Sequence, residues 1–248
     1  MEVQAALRSD IALVFDESTP FHGGRENTAR STERTHRWLD RCVSWHEREG
    51  PRWQGVYGIV QGGVEEDLRR ASAQEVAARD YLGGIAIGGT LGETKDQMFT
   101  VVEWAIEELP ESKPRHLLGI GEVDDLLVGI GMGLDLFDCA IPTRLARHGT
   151  ALAPNPEGRF RIDLTKSTYA DDDSPPVEGC PCEACVRHTR AYLHYLARNK
   201  DLTGTRLLTL HNLTYMELLV AGAREAIGGG RFEAYSSEVL AGAAPWAA

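Results

Sequence analysis

Short apolar runs alternate with helical patterns from residue 11 to about residue 150. IALVF (11–15), VYGIV (56–60), GIAIG (84–88), HLLGI (116–120) and LDLFD (134–138) are each bounded by glycine, proline or a polar residue. Runs of this kind read as buried parallel strands. Between them the spacing turns helical. The clearest case is 94–109, where Met98, Val101, Val102, Ala105, Ile106 and Leu109 recur at helical intervals. Segments 65–79 and 122–132 are shorter versions. Repeated β-α units predict a parallel sheet.

After Thr150 the pattern changes. TALAP (150–154) and RFRID (159–163), joined by Asn-Pro-Glu-Gly, predict a hairpin. Helical stretches follow at about 183–199 and at 212–227, the latter with Leu213, Met216, Leu219, Val220, Ala223 and Ile227. From Gly228 onward glycine, alanine, serine and glutamate dominate, which predicts a loose tail. The expected organisation is a partial barrel over 1–149, a subdomain with closing helices over 150–227 and a tail over 228–248.

The strand ends carry the informative residues. Asp16 follows the first run, Gln61 the second, Gly88 and Gly89 close the third, Gly119-Ile120-Gly121 the fourth, and Asp138 ends the fifth. A (β/α)8 barrel builds its active site from such positions, and glycine lets a flat ligand approach the backbone closely. Each alone is ordinary turn punctuation; the succession of five points to a site.

Composition narrows the possibilities. The 248 residues contain 42% hydrophobic side chains, enough for a sizeable core. No apolar run reaches the ~18 residues of a membrane span, and no basic-then-apolar leader opens the chain, so a cytoplasmic protein is expected. A net charge of −11 argues against general nucleic-acid binding. Residues 142–166, however, carry Arg144, Arg147, Arg159, Arg161 and Lys166 against only Glu157 and Asp163. Such a strip either is a solvated hairpin surface or holds a phosphate backbone.

Three of the five cysteines, Cys180, Cys182 and Cys185, fall in C-P-C-E-A-C, and His211 follows after 25 intervening residues. The clustering favours a metal over disulfides. Three thiolates and an imidazole close a tetrahedral shell around Zn2+ and leave no position for water or substrate, which predicts a structural metal. Because His211 precedes the second helical stretch, the ion would staple a loop to a helix start. Cys42 and Cys139 are isolated and read as plain buried thiols. Chemistry is therefore expected elsewhere, with Asp138 in GLDLFDCAIPTR as the first candidate.

LVFDESTP, GIVQGG, IAIGG, LLGIGE, LDLFDCAIPTRLARHGT, CPCEAC and LLTLHNL resemble, in this order, the motifs of bacterial-type tRNA-guanine transglycosylases, from about residue 8 to 227. The resemblance implies a (β/α)8 TIM-type barrel, here about its last five β-α units, with a C-terminal zinc-binding subdomain. It also implies exchange of guanine at the wobble position of GUN-anticodon tRNAs for the precursor preQ1 or for queuine. Asp138 would attack C1′ of the ribose and form a covalent intermediate, as the carboxylates of retaining glycosidases do. Asp16 would accept from the N–H groups of the base, and Gln61 would read its carbonyl. Gly88, Gly89, Leu118 and Gly119 would line the base. Arg144 and Arg147 would contact the anticodon, whose target base must leave the stack. Cys180, Cys182, Cys185 and His211 would hold the zinc. A homodimer or a pair of related subunits is also implied.

Several features depart from the family pattern. The family's chain begins with further β-α units, one carrying an aspartate in D-S-G-G taken as general acid/base, and no D-S-G-G occurs here. A truncated or split chain is therefore expected, with open sheet edges, exposed apolar surface and poor stability alone. Ser18 stands where members usually have cysteine, and the loop TLGE after IAIGG is one residue short, which predicts a preference for the larger queuine. Two rival functions follow from the residues: a non-catalytic tRNA-binding partner subunit, and a zinc hydrolase on a barrel, against which the closed three-cysteine shell speaks.

Overall fold

The structure is a computed structural model that describes residues 1–89 and 91–248; Thr90, in the TLGE loop, lies outside the described residues. The chain divides into two compact units: residues 1–120 with 132–138, and residues 121–131 with 139–248. The division thus falls at Asp138/Cys139, earlier than the expected boundary at 149.

The first unit is built on five parallel strands, β1 (Ile11–Leu13), β2 (Gly55–Val60), β3 (Gly84–Ile87), β4 (Arg115–Leu117) and β5 (Leu136–Phe137). Their spatial order is their sequence order, and the sheet curls as part of a barrel. Apart from β4, which carries Arg115 and His116, each strand is a short apolar run, and residues 56–60 of β2 are all buried. The core joins Val56, Ile59 and Val60 to Ile85, Ile87 and Leu117, with Val76 and Val101 packed on the helix side. Helices α1 (Glu2–Ala6), α2 (Arg25–Glu49), α3 (Glu66–Ala77) and α4 (Lys95–Ile106) cover it. The pleat packs closely where β2 meets α3: a Cβ on Gly58 would lie 2.6 Å from Val76 Cγ1 and 2.7 Å from Leu82 Cδ1.

Helix α2 has no apolar signature. Its buried stripe is Thr28, Ser31, Thr32, Thr35, Leu39, Cys42 and His46, helical in spacing but mostly polar in type. The hydroxyls of Thr28, Ser31 and Thr32 donate back to the helix backbone, Thr32 Oγ1 to Thr28 O at 2.8 Å.

At the β1 edge, Gln4 takes the place of a strand. Leu13 N–H donates to Gln4 Oε1 at 2.9 Å, and Gln4 Nε2 donates to Leu13 O at 2.7 Å. Ile11 and Phe15 beside it remain 39% and 63% exposed. A groove of about 1000 Å3 lined by Met1, Phe15, Trp38, Cys42 and Trp45 adjoins this edge.

The second unit contains α5 (Val123–Gly131), α6 (Ile141–Arg147), β6 (Thr150–Leu152), β7 (Arg161–Asp163), α7 (Glu183–Arg187), α8 (Arg190–Arg198), α9 (Leu202–Gly228) and α10 (Phe232–Leu240). The expected hairpin is the antiparallel pair β6–β7, with Ala151 opposite Ile162. Three expectations change. The stretch 183–199 is two helices, because Thr189 caps α8 by accepting from Tyr192 N–H. His211 lies inside α9, which begins already at Leu202 under the Asp201 cap. The tail is not loose: α10 buries Tyr235 and Val239, Tyr235 Oη donates to Leu219 O at 2.9 Å, and Trp246 meets Tyr215 edge-on at 5.9 Å. Among the described residues, no helix is long and apolar enough to cross a membrane.

Candidate functional site

The carboxyl ends of β1 to β5 bring together most of the residues singled out by sequence. Asp16 sits three residues beyond β1 and is half-buried. Burial raises its carboxyl pKa, and the hydrogen bond from Gln61 partly offsets the rise. Gln61, at the end of β2 and 2% exposed, donates from Nε2 to Asp16 Oδ2 at 2.6 Å. Its own backbone is fixed from the helical layer. Gln61 N–H donates to Ser72 Oγ at 3.0 Å, and that hydroxyl lies 2.9 Å from His36 Nε2. The loop carrying Asp16 is held likewise, Glu17 N–H donating to Thr35 Oγ1 at 2.9 Å.

Gly88 and Gly89 end β3 beside this pair. Gly89 has φ +77°, and a Cβ there would lie 2.2 Å from Gln61 Oε1. Only glycine combines that backbone with that approach. A Cβ on Gly88 would meet Leu118 Cδ1 at 3.2 Å and Gln61 Nε2 at 3.5 Å, so Leu118 borders the same space. Beneath the glycines lies Arg69 of α3, fully buried. It donates to Gly88 O at 2.8 Å, Gly63 O at 2.6 Å and Val60 O at 3.3 Å, tying the ends of β2 and β3 together. Desolvation lowers its pKa to about 10, still far above neutrality.

Asp138 follows β5 directly, and its side chain is 60% exposed. Gly119, beyond β4 with φ +76°, donates its N–H to Asp138 Oδ1 at 3.3 Å. His116 Nε2 lies 3.0 Å from the same oxygen. His116 was not among the sequence candidates. A signal was present: HLLGI read as a strand places His116 and Leu118 on one face, and the register pairs His116 with Leu136, two residues before Asp138.

Arg144 and Arg147 belong to the second unit, exposed in the last turn of α6. Pro142 opens this helix, where its missing N–H costs nothing.

The buried donors Cys180, Cys182, Cys185 and His211 lie with their ligand atoms within 4.8 Å of one another. His211 Nδ1 is 3.6, 3.4 and 3.3 Å from the three sulfurs in turn. Its Nε2 is 2.8 Å from Leu152 O; with Nε2–H donating to that carbonyl, the Nδ1 lone pair is left for a metal. A backbone acceptor behind a ligating imidazole is the usual supporting contact. The group can hold a metal ion. Next to it, Asn212 donates to Pro142 O at 2.9 Å and Thr150 O at 3.1 Å and accepts from Leu152 N–H at 2.8 Å.

The profile of the queuine tRNA-ribosyltransferase family matches residues 1–244. The chain belongs to that family. Among its relatives, the queuine tRNA-ribosyltransferase of Roseiflexus sp. (strain RS-1) is 45% identical over 249 residues, covering 97% of this chain and 62% of the relative. That of Pelotomaculum thermopropionicum is 44% identical over 241 residues, covering 97% of this chain and 63% of the relative. The chain thus spans about three fifths of the length of the family members it matches. Membership accounts for the sheet order and for the Cys3His group, both expected from the motifs.

Proposed function

We propose that the chain carries the base-exchange chemistry of a tRNA-guanine transglycosylase, a pentosyltransferase. The observation that supports the reading is the placement of the Asp16–Gln61 pair, the Gly88-Gly89 approach and the exposed Asp138 at the carboxyl ends of parallel strands of one unit. Asp16 ionised, with Oδ1 not engaged by Gln61, accepts hydrogen bonds from N–H groups of a guanine-like base. The second amide hydrogen of Gln61 is left for the base carbonyl. The Asp138 carboxylate attacks C1′ of the wobble ribose; the C1′–N bond breaks and its electron pair leaves with the base, which takes up a proton from solvent water. An incoming preQ1 or queuine gives up a proton to solvent water, attacks C1′ and returns Asp138 as a carboxylate. The anion also stabilises the oxocarbenium-like centre between the two bonds.

In this reading tRNA with a GUN anticodon is the macromolecular substrate, which goes with a cytoplasmic location, and Arg144 and Arg147 meet its phosphates. A second copy or a related chain as partner is supported by the family likeness alone. The metal is Zn2+ held by Cys180, Cys182, Cys185 and His211. It supplies no step of the reaction, since a closed four-ligand shell leaves no site for substrate. Ser18 and the shortened TLGE loop support preference for queuine over preQ1, and relative exchange rates with the two bases test that part.

The experiment is incorporation of labelled guanine into a GUN-anticodon tRNA by the chain and by Asp138→Ala. Incorporation lost in the variant is expected. Tight tRNA binding with no incorporation by either protein would overturn the reading in favour of a non-catalytic binding subunit.

A further inference from the structure

The two oxygens of Asp138 are not equivalent. Oδ1 faces two N–H donors, His116 Nε2 at 3.0 Å and the Gly119 backbone at 3.3 Å. Among the described residues, no group hydrogen-bonds Oδ2. A carboxylate has no proton to give, so the short contact requires the hydrogen on His116 Nε2. The imidazole is itself held: its side chain is 15% exposed, against 60% for Asp138, and it rises from β4, whose backbone is paired to both neighbours.

An exposed aspartate at a strand end has a broad χ2 and turns freely. Two donors on one oxygen, from a strand and from a glycine whose φ is +76°, fix the carboxylate plane. We infer that His116 is the positioning residue for Asp138: with Gly119 N–H it pins Oδ1 and leaves Oδ2 as the oxygen that reacts. The inference rests on the reading of Asp138 as nucleophile.

The same contacts serve both half-reactions. When the Oδ2–C1′ bond forms and the C1′–N bond breaks, Oδ1 becomes the carbonyl oxygen of an aspartyl ester. It still accepts from His116 and Gly119. When the incoming base displaces the ester, negative charge returns to the carboxylate in front of donors already in place, so no reorientation is needed. His116 moves no proton in this scheme.

The test compares His116→Leu, which removes the donor, with His116→Gln, whose amide N–H reaches about as far as Nε2. Guanine exchange is read as separate kcat and KM values, and the covalent tRNA adduct is followed in a single turnover. His116→Leu is expected to lose about 10²-fold in kcat and in the rate of adduct formation, the scale of a misplaced reacting group, with KM for tRNA and base little changed. His116→Gln should recover most of the loss. Full activity in His116→Leu, or equal losses in both variants with unchanged melting, overturns the inference. If the wild-type chain exchanges no guanine, the functional reading fails separately. The positioning contact is then read from ¹⁵N spectra of the imidazole. The Nε2-protonated tautomer is expected in the wild type and its loss in Asp138→Ala; an Nδ1-protonated ring in the wild type overturns it.

Discussion

Gln61 Nε2 and Asp16 Oδ2 are joined at 2.6 Å across the ends of adjacent parallel strands. The bond spends one of the two amide hydrogens and one of the two carboxylate oxygens. Apart from Gln61 Oε1, which faces Gly89, what remains is one carboxylate oxygen beside one amide hydrogen, the pattern that complements an edge carrying N–H next to C=O. The two side chains hold each other in that register, so a base bound as proposed would find them already ordered.

On the proposed reading, this pairing makes base binding sensitive to acid. Burial raises the Asp16 pKa, so its charge is lost at a higher pH than an ordinary aspartate's. Base affinity should fall as pH drops through that raised value, and Asp16→Asn should bind weakly with no such limb. The sign for stability is opposite. The folded carboxyl binds its proton more tightly than the unfolded one, so ionisation opposes folding. The penalty is fully present above the raised pKa and gone below the unfolded value of 3.8. Asp16→Asn should therefore be slightly more stable at neutral pH and not at pH 3, read by urea midpoints at both.

Gly89→Ala tests the close approach. The added Cβ would lie 2.2 Å from Gln61 Oε1 at φ +77°. The strained backbone costs roughly 1–2 kcal/mol, and moving Gln61 should reduce exchange by about 10²-fold. A variant with wild-type kcat/KM would show that Gln61 is not held by this contact.

Metal removal acts on the second unit. Chelation, or Cys182→Ser, should strip hydrogen-exchange protection from α7 and α9 while β2 and β3 stay protected, because a structural ion contributes directly to folding. Metal analysis should find zinc in proportion to the chain. Protection unchanged after complete chelation would contradict a structural ion.

Asn212→Ala removes three hydrogen bonds, to Pro142 O, Thr150 O and Leu152 N–H. Buried groups left without partners cost about 1–3 kcal/mol each, and part of that loss is recovered by water. A destabilisation of about 2–4 kcal/mol is expected, measured by denaturant unfolding. A loss under 1 kcal/mol would mean that β6 and α6 are held chiefly by packing.

The strands, their order and the residues at their ends were legible because buried parallel strands are short apolar runs with polar or glycine termini. The Cys3His group was legible because ligand chemistry restricts residue type. Helix α2 was not, since its buried stripe of Thr28, Ser31, Thr32 and Thr35 is helical in spacing but carries no apolar signal. The start of α9 was hidden by Gly204, which helix propensity disfavours. The structure explains that glycine: a Cβ there would lie 2.8 Å from Leu196 Cβ. The tail misled because its anchors, Tyr235, Val239 and Trp246, are few among small residues. His116 was passed over because a histidine inside a strand reads as ordinary filling until pairing sets it opposite the residues leading to Asp138.

The contact between Gln4 and Leu13 closes the β1 edge of the sheet. A sheet edge is normally stopped by bulk, charge or proline. Here one side-chain amide occupies a single donor–acceptor pair at 2.9 and 2.7 Å. Rotation of that one side chain frees both groups without breaking any rung of the ladder behind them. The edge is thus closed at this residue by the chain's own side chain rather than by bulk or charge, with Ile11 and Phe15 exposed beside it.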